Sequence, residues 1–318
     1  MEHYTFDDAL TGSSVTCGFP QLDAVVTRDA AKSDRCTSLF FPGCSFLNYG
    51  LPLVQAVYQT LIDEGVVDGV SLLCCGKILS YEPEGDNVRA SFEAQLRNRL
   101  AKVGVKRIVA ACPNCVVALR AALSDDARTA SIEVTALPVE LAQRGYRIEM
   151  ADAVAMVEDV VGCEVADVRM SVHDPCPDRD TGEFADGLRA LMPAALMVEG
   201  PHVRKRSYCC GSLLRASGKP FVADAMAQRH GEEARSLEAV ALVTSCMSCA
   251  FQLSVAQSAV PVFHYLELLY HWRIAWEDAY AYLKLRFLFD EALGAVEASG
   301  SSRTFASLEA PSNEEPHV

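Results

Sequence analysis

Positive charge is what this sequence has least of: 28 Lys and Arg stand against 42 Asp and Glu, a formal net charge of −14. So acidic a chain is ill suited to nucleic acid, whose phosphate backbone calls for a Lys- and Arg-rich surface. Long apolar runs are missing as well, and no window reaches the ~20 uninterrupted apolar residues of a membrane span. The opening residues, MEHYTFDDAL, hold no basic stretch, apolar core or small-residue cleavage site. No secretion signal is therefore expected, and the compartment read from the sequence is the cytoplasm. No Gly-x-Gly-x-x-Gly run follows a strand and opens a helix, so a bound nicotinamide or flavin is not expected. Gly-x-Ser-x-Gly and His-Glu-x-x-His are absent, which removes the usual signatures of hydrolase chemistry.

Cysteine, by contrast, is abundant: 13 in 318 residues. Ten of them form one pattern stated twice. Cys44, Cys74-Cys75-Gly76 and Cys112/Cys115 are matched by Cys176, Cys209-Cys210-Gly211 and Cys246/Cys249. The offsets between matching cysteines are 132, 135, 135, 134 and 134, the signature of a duplicated unit. The chain length independently suggests about two domains of roughly 150 residues. Thiols stay reduced in the cytoplasm, so clustered cysteines there point to metal or redox chemistry rather than to a disulfide scaffold. Cys17, Cys36 and Cys163 fall outside the repeat and read as ordinary thiols.

Short apolar strands alternate with helical patterns. Strands are expected at 37–41, 70–73, 107–111 and 132–135 in the first half, and at 170–173, 206–208, 240–244 and 261–263 in the second. Helices are expected at 51–64, 88–103, 116–123, 184–191 and 223–237. This alternation implies a parallel sheet in each half. Ligands of open parallel sheets collect beyond the carboxyl ends of the strands. Each cysteine group directly follows an expected strand, so the three groups of each half are expected to converge on one sheet edge. Residues 1–36 show no clear period and read as an irregular arm. Residues 266–298 read as a C-terminal helical segment, whose aromatic residues suit core packing or, as the alternative, a partner or the membrane surface. Residues 299–318 read as a disordered tail. The boundaries that follow are 37–150 and 151–265 for the two repeated domains.

Thiolates select zinc, copper(I) or iron–sulfur clusters. A structural zinc is satisfied by four ligands; each half here offers five, two of them adjacent. Gly76 and Gly211 can adopt backbone conformations closed to other residues, which would let both adjacent sulfurs turn toward one site. Crowded on a single ion, vicinal thiolates are reasonable on two irons of a larger cluster. A duplicated zinc-binding interaction module remains the non-redox alternative.

The order Cys, Cys-Cys-Gly, Cys-x-x-Cys, with FFPGCS around Cys44, HDPC ending at Cys176, and AACPNC and VTSCMSC after the third strands, resembles the cysteine-rich CCG domain. That domain makes up the B subunit of heterodisulfide reductase and occurs in iron–sulfur subunits of lactate-utilisation, glycolate and glycerol-3-phosphate oxidoreductases. The resemblance covers about residues 37–270 and implies an α/β fold of two tandem parallel-sheet domains related by a pseudo-twofold, plus the C-terminal helical segment. It further implies two [4Fe–4S] clusters of the non-cubane kind. Cys44, Cys74, Cys75, Cys112 and Cys115 would hold one, and Cys176, Cys209, Cys210, Cys246 and Cys249 the other; zinc in one site is the alternative. The function implied is an oxidoreductase subunit for disulfide/thiol redox chemistry or electron transfer, with a small thiol, disulfide or other small molecule as substrate. The alternative is the electron-transfer subunit of a flavin-dependent lactate-, glycolate- or glycerol-3-phosphate-type dehydrogenase. Many relatives carry a ferredoxin segment that is absent from this sequence, so electrons are expected from ferredoxin-like or flavoprotein subunits. Two departures stand out: Cys209-Cys210-Gly211 continues Ser-Leu-Leu, and the spacing from Cys44 to Cys74 is short. His173, just ahead of Cys176, is a candidate proton donor or a structural residue. Arg179, Arg204, Lys205, Arg206, Arg215 and Lys219 form a basic cluster that suits an anionic substrate or a solvated face.

Overall fold

The computed structural model describes residues 1–20, 22–28, 35–276, 284–301 and 304–309. In chain order it opens with β1 (Glu2–Asp7), β2 (Ser13–Phe19) and β3 (Ala24–Arg28). Then come β4 (Ser38–Phe41), α1 (Cys44–Tyr49), α2 (Leu51–Asp63), β5 (Gly69–Val70), α3 (Gly85–Val103), β6 (Arg107–Ala110), α4 (Pro113–Ser124) and β7 (Glu133–Ala136). The second half runs through α5 (Leu137–Gln143), α6 (Met150–Val161), β8 (Met170–His173), α7 (Glu183–Leu191), β9 (Met197–Val198), α8 (Ser212–Ala216) and α9 (Pro220–Ser236). It continues with β10 (Ala241–Thr244), α10 (Met247–Ala256), β11 (Val262–His264) and α11 (Tyr265–Tyr270). The end of the chain supplies β12 (Phe287–Leu288), α12 (Asp290–Ala298) and β13 (Ala306–Ser307).

Two compact units result. One holds the described residues of 1–110, 114–135 and the described residues after 283; the other holds 111–113 and the described residues of 136–282. Each is built on a four-stranded sheet, ordered β5-β4-β6-β7 in the first and β9-β8-β10-β11 in the second. Numbered within its own half, each sheet has the order 2-1-3-4, so the duplication seen in the cysteines extends to the topology. The central pairs are parallel, with Phe41 beside Ala110 at the end of β4 and β6, and His173 beside Thr244 at the end of β8 and β10. Burial explains the apolar character of these strands: Leu39, Phe40 and Phe41, and Ala241, Leu242 and Val243, are all inaccessible. Helix α2 buries Leu51, Leu53, Val54, Val57 and Leu61, a stripe at helical spacing.

The unit boundary falls at 135/136 rather than at 150/151. Helix α5 belongs with the second unit because it packs against α7, where Gly187 lets the helices meet. A Cβ there would lie 2.8 Å from the carbonyl carbon of Pro138. The N-terminal residues, expected to be irregular, form an antiparallel meander in which Tyr4 pairs with Cys17 and Cys17 with Ala24. Its organising residue is Asp8. The buried carboxylate accepts bonds from the amides of Leu10 and Thr11 at the hairpin turn, and from Ser71 Oγ (2.8 Å) and the Leu72 amide (2.7 Å). A side chain that ties a turn to a loop some sixty residues away leaves no periodicity to read.

The stretch 266–298 is also different from the continuous helix expected. Helix α11 stops at Tyr270, where His271 takes a left-handed conformation. Residues 277–283 lie outside the described residues. Leu285 lies outside any helix and Asn48 takes both its main-chain groups, Nδ2 donating to its carbonyl at 2.8 Å and Oδ1 accepting from its amide at 3.0 Å. The Phe287 carbonyl then accepts from the Cys74 amide at 2.9 Å, and only α12 resumes the helix. Of the tail expected to be disordered, Ala306–Ser307 pairs in parallel with β12, and 310–318 lie outside the described residues.

Candidate metal centre

The strand order of each sheet reverses between its first and third strands, the place where open α/β sheets form a crevice beyond the strand ends. The loops leaving those strands carry the cysteines: Cys44 after β4 and Cys112 after β6, Cys176 after β8 and Cys246 after β10. Each Cys-x-x-Cys sits at a helix start, with Cys246 the N-cap of α10 and Cys249 in its first turn. That placement sets both sulfurs at one end of the helix, where neighbouring thiols and burial push both well above the ordinary cysteine range. Gly76 (φ 77°) and Gly211 (φ 93°) both take the left-handed conformation that the Cys-Cys-Gly turn requires. One expectation fails in the second half. No strand leads directly into Cys209, because β9 ends at Val198 and a helical turn, Arg204–Arg206, intervenes.

In the second unit all five repeat cysteines meet. Cys176 and Cys209 are hydrogen-bonded, as are Cys209 and Cys210. The Cys210 and Cys249 sulfurs are 3.3 Å apart, and Cys249 touches Cys246. Cys209 also accepts the Gly211 amide at 3.3 Å. The bonds from Cys176 and Cys210 hold the Cys209 thiol far below its ordinary range, while the bond to Cys209 and burial push the Cys176 thiol up. Cys210 is pushed up to about 12, by its bond to Cys209 first. Packed thiols that deprotonate only at one another's expense are a donor set suited to a cationic metal centre. Cys210, Cys246 and Cys249 are buried, whereas Cys176 and Cys209 are half-buried.

The first set is divided. Cys74 lies against both Cys44 and Cys75. The bond from Cys44 pulls the Cys74 thiol down, but its bond to Cys75 and burial outweigh this and raise it to about 12. Cys115 is buried in the same unit. Cys112 instead groups with the second unit and lies against Cys246. Cys17, in β2, and Cys36, bonded to Asp68, are buried, and Cys163 is exposed.

The match to known proteins follows this geometry. The model of the cysteine-rich CCG domain matches residues 38–120 and again 170–254. The chain belongs to the CCG family. A curated relative, the B subunit of the fumarate reductase (CoM/CoB) of Methanothermobacter marburgensis, is 29% identical over 246 residues, covering 72% of this chain and 45% of that one. The chain thus spans less than half the length of this relative. Among solved structures, glutamate racemase RacE1 of Bacillus anthracis is 12% identical with a TM-score of 0.35, covering 88% of this chain and 99% of its own. Glutamate racemase of Aquifex pyrophilus is 14% identical with a TM-score of 0.33, covering 86% and 98%. Likenesses this low bear on neither fold nor chemistry. Tandem CCG domains with this thiol set support iron–sulfur binding and a redox-related role. Among the described residues no helix is long and apolar enough to cross a membrane.

Side chains around the second CCG repeat that sequence reasoning passed over hold it in place. Asp174, between β8 and Cys176, is buried and receives Arg189 in a two-pronged pair at 2.8 and 2.9 Å, plus the Arg204 amide at 2.7 Å. Burial disfavours the Arg189 charge, but its bonds to Asp174 and Glu199 keep it protonated. Asp178 accepts the Ala185 amide at 2.9 Å and ties the Cys176 turn to α7. The Asp-Pro-Cys string is a weak signal for this anchoring, and Arg189 carries none. His173 is buried, its pKa lowered to about 4 by burial. Its ring meets His230 edge-on at 4.3 Å, and His230 stacks on Tyr208 at 4.0 Å. The basic cluster is divided. Arg179, Arg204, Lys205 and Arg206 line a pocket of about 480 Å³ with Asp180 and Asp186. Arg204 pairs with Asp186, Arg215 with Asp224, and Lys219 begins α9.

Proposed function

We propose that this chain is an iron–sulfur oxidoreductase subunit that handles a disulfide/thiol couple, with a [4Fe–4S] cluster of the non-cubane kind on each five-cysteine set. The observation that carries the reading is the second set, where five sulfurs from three separate loops pack together at the carboxyl edge of a parallel sheet. Five soft donors exceed what one tetrahedral ion uses and match a multi-iron cluster. Bound there, the cluster supplies one-electron redox steps. The balance is that a disulfide, two electrons and two protons give two thiols, the S–S bond breaking and two S–H bonds forming. The electrons come from a reduced ferredoxin-like or flavoprotein partner, and the protons from solvent. Cys176 and Cys209 form the accessible side of the set. Arg179, Lys205 and Arg206 line the nearby pocket and would hold an anionic end of the substrate. The relative's name, which is that of a CoM/CoB fumarate reductase component, is consistent with a redox subunit of a larger assembly.

The test is metal analysis of protein purified without oxygen, with EPR of the oxidised form before and after thiol addition. Two clusters correspond to about eight irons with acid-labile sulfide per chain, and a thiol-dependent signal supports substrate sulfur at iron. About four irons without a thiol response would favour plain electron transfer, as in a flavin-dehydrogenase subunit. Zinc without iron or sulfide would sink the redox reading and leave an interaction module.

A further inference from the structure

The duplication provides an internal comparison between the two sites. At the offset that relates Cys44 to Cys176, His173 corresponds to Phe41; at the offset that relates Cys74 to Cys209, Tyr208 corresponds to Leu73. Phe41 and Leu73 are fully buried apolar residues. The second repeat therefore spends polar aromatic rings at two positions that the first fills with hydrocarbon. His173 is 2% exposed, and among the described residues neither of its ring nitrogens has a hydrogen-bond partner. An imidazole always offers at least one donor or acceptor at each nitrogen, and burying both without partners is costly. The phenylalanine of the first repeat shows that the fold does not need that cost at this strand end. A ring nitrogen of His173 and the Sγ atoms of Cys210 and Cys249 all lie within 4.8 Å of one another. The ring is held by the edge-on contact with His230, which in turn bonds the Cys209 main chain. Packing, not hydrogen bonding, fixes His173, and a ring nitrogen stays available to the sulfurs.

We propose that His173 is a nitrogen ligand of the metal centre held by the second cysteine set, so that the chain's two centres are chemically unequal. The assignment rests on metal being bound at that set. It makes His173 a ligand in place of the proton donor suggested by its position in the sequence, and His230 a positioning residue. A neutral imidazole brings no negative charge to the metal, so the second centre differs from the first in the type of its donors.

The experiment is pulsed EPR on the metal-loaded chain, with and without ¹⁵N-labelled histidine, in wild type, His173→Phe and His230→Ala. His173→Phe installs the residue of the first repeat and is chosen to keep the fold, checked by its urea midpoint. The expected result is a histidine nitrogen coupling in wild type that shifts with the label and survives, weakened, in His230→Ala. In His173→Phe it disappears. Iron-loaded wild type without a histidine coupling, or a coupling that persists in His173→Phe, overturns the assignment while leaving the iron–sulfur reading intact. Should the bound metal prove to be zinc, the redox reading fails; the same coupling, read after cobalt replaces zinc, then supports or overturns the ligand assignment.

Discussion

At the scale of single residues, the second site depends on a charge that no cysteine pattern reveals. Asp174 is 1% exposed and is neutralised by Arg189 through two bonds on one guanidinium face. Removing one partner of a buried pair costs about 3–5 kcal/mol, because the other charge is left without compensation. Arg189→Ala should therefore lower the stability of the chain by about that amount, measured as a shift of the urea midpoint at unchanged slope. Iron should be lost from the variant before wild type releases any, since Asp174 fixes the loop leading to Cys176. A change below about 0.5 kcal/mol, the range of ordinary surface substitutions, would show that the pair does not anchor the loop. Asp8 plays a comparable part in the first unit, where its carboxylate holds Ser71 and Leu72 just ahead of Cys74.

At the scale of elements, close approach decides which helix belongs where. Helices α5 and α7 meet through Gly187, whose missing side chain leaves room for the Pro138 and Val139 backbone at 2.8 Å. Gly187→Val must push the helices apart, at a cost of at least about 1–3 kcal/mol. Because α7 carries Arg189 and receives Asp178, the expected outcome is reduced thermal stability together with a weakened second centre. Normal stability and full metal content in that variant would rule out the tight α5–α7 contact. The same kind of constraint acts at the Cys-Cys-Gly turns. A Cβ on Gly211 would lie 2.7 Å from the Cα of Ala223 in α9, and one on Gly76 would lie 2.8 Å from the Phe92 ring of α3. The second turn is thus pressed against α9 and the first against α3.

At the scale of the whole molecule, a chain with a net charge of −14 gathers buried thiols that burial and mutual contact keep protonated. Cys74 and Cys210 are both held near 12. Metal binding must displace those protons, so binding free energy becomes folding free energy. Stripping the metal with a chelator should lower the thermal midpoint by several degrees, given that about 1 kcal/mol moves a domain of 150–250 residues by about 2–4 °C. Calorimetry of loaded and stripped protein makes the check, and equal midpoints would mean that the cysteine sites do not contribute to folding.

The ten repeat cysteines, their order and their duplication are local in the chain. They made the donor type, the two-domain plan and the β/α alternation legible without coordinates, since strand and helix periods are written in neighbouring residues. The positions of β4, β6, β8, β10, α2, α3 and α9 follow from that pattern. What no window of sequence holds is pairing at a distance. Asn48 takes the main-chain groups of Leu285 where the local pattern is helical, Asp8 ties a hairpin to the Ser71 loop, and Gly187 moves α5 into the second unit. The grouping of Cys112 with the second unit and the unpartnered nitrogens of His173 are of the same kind. Each is decided by an atom from another part of the chain whose approach exists only once the sheets and helices have packed.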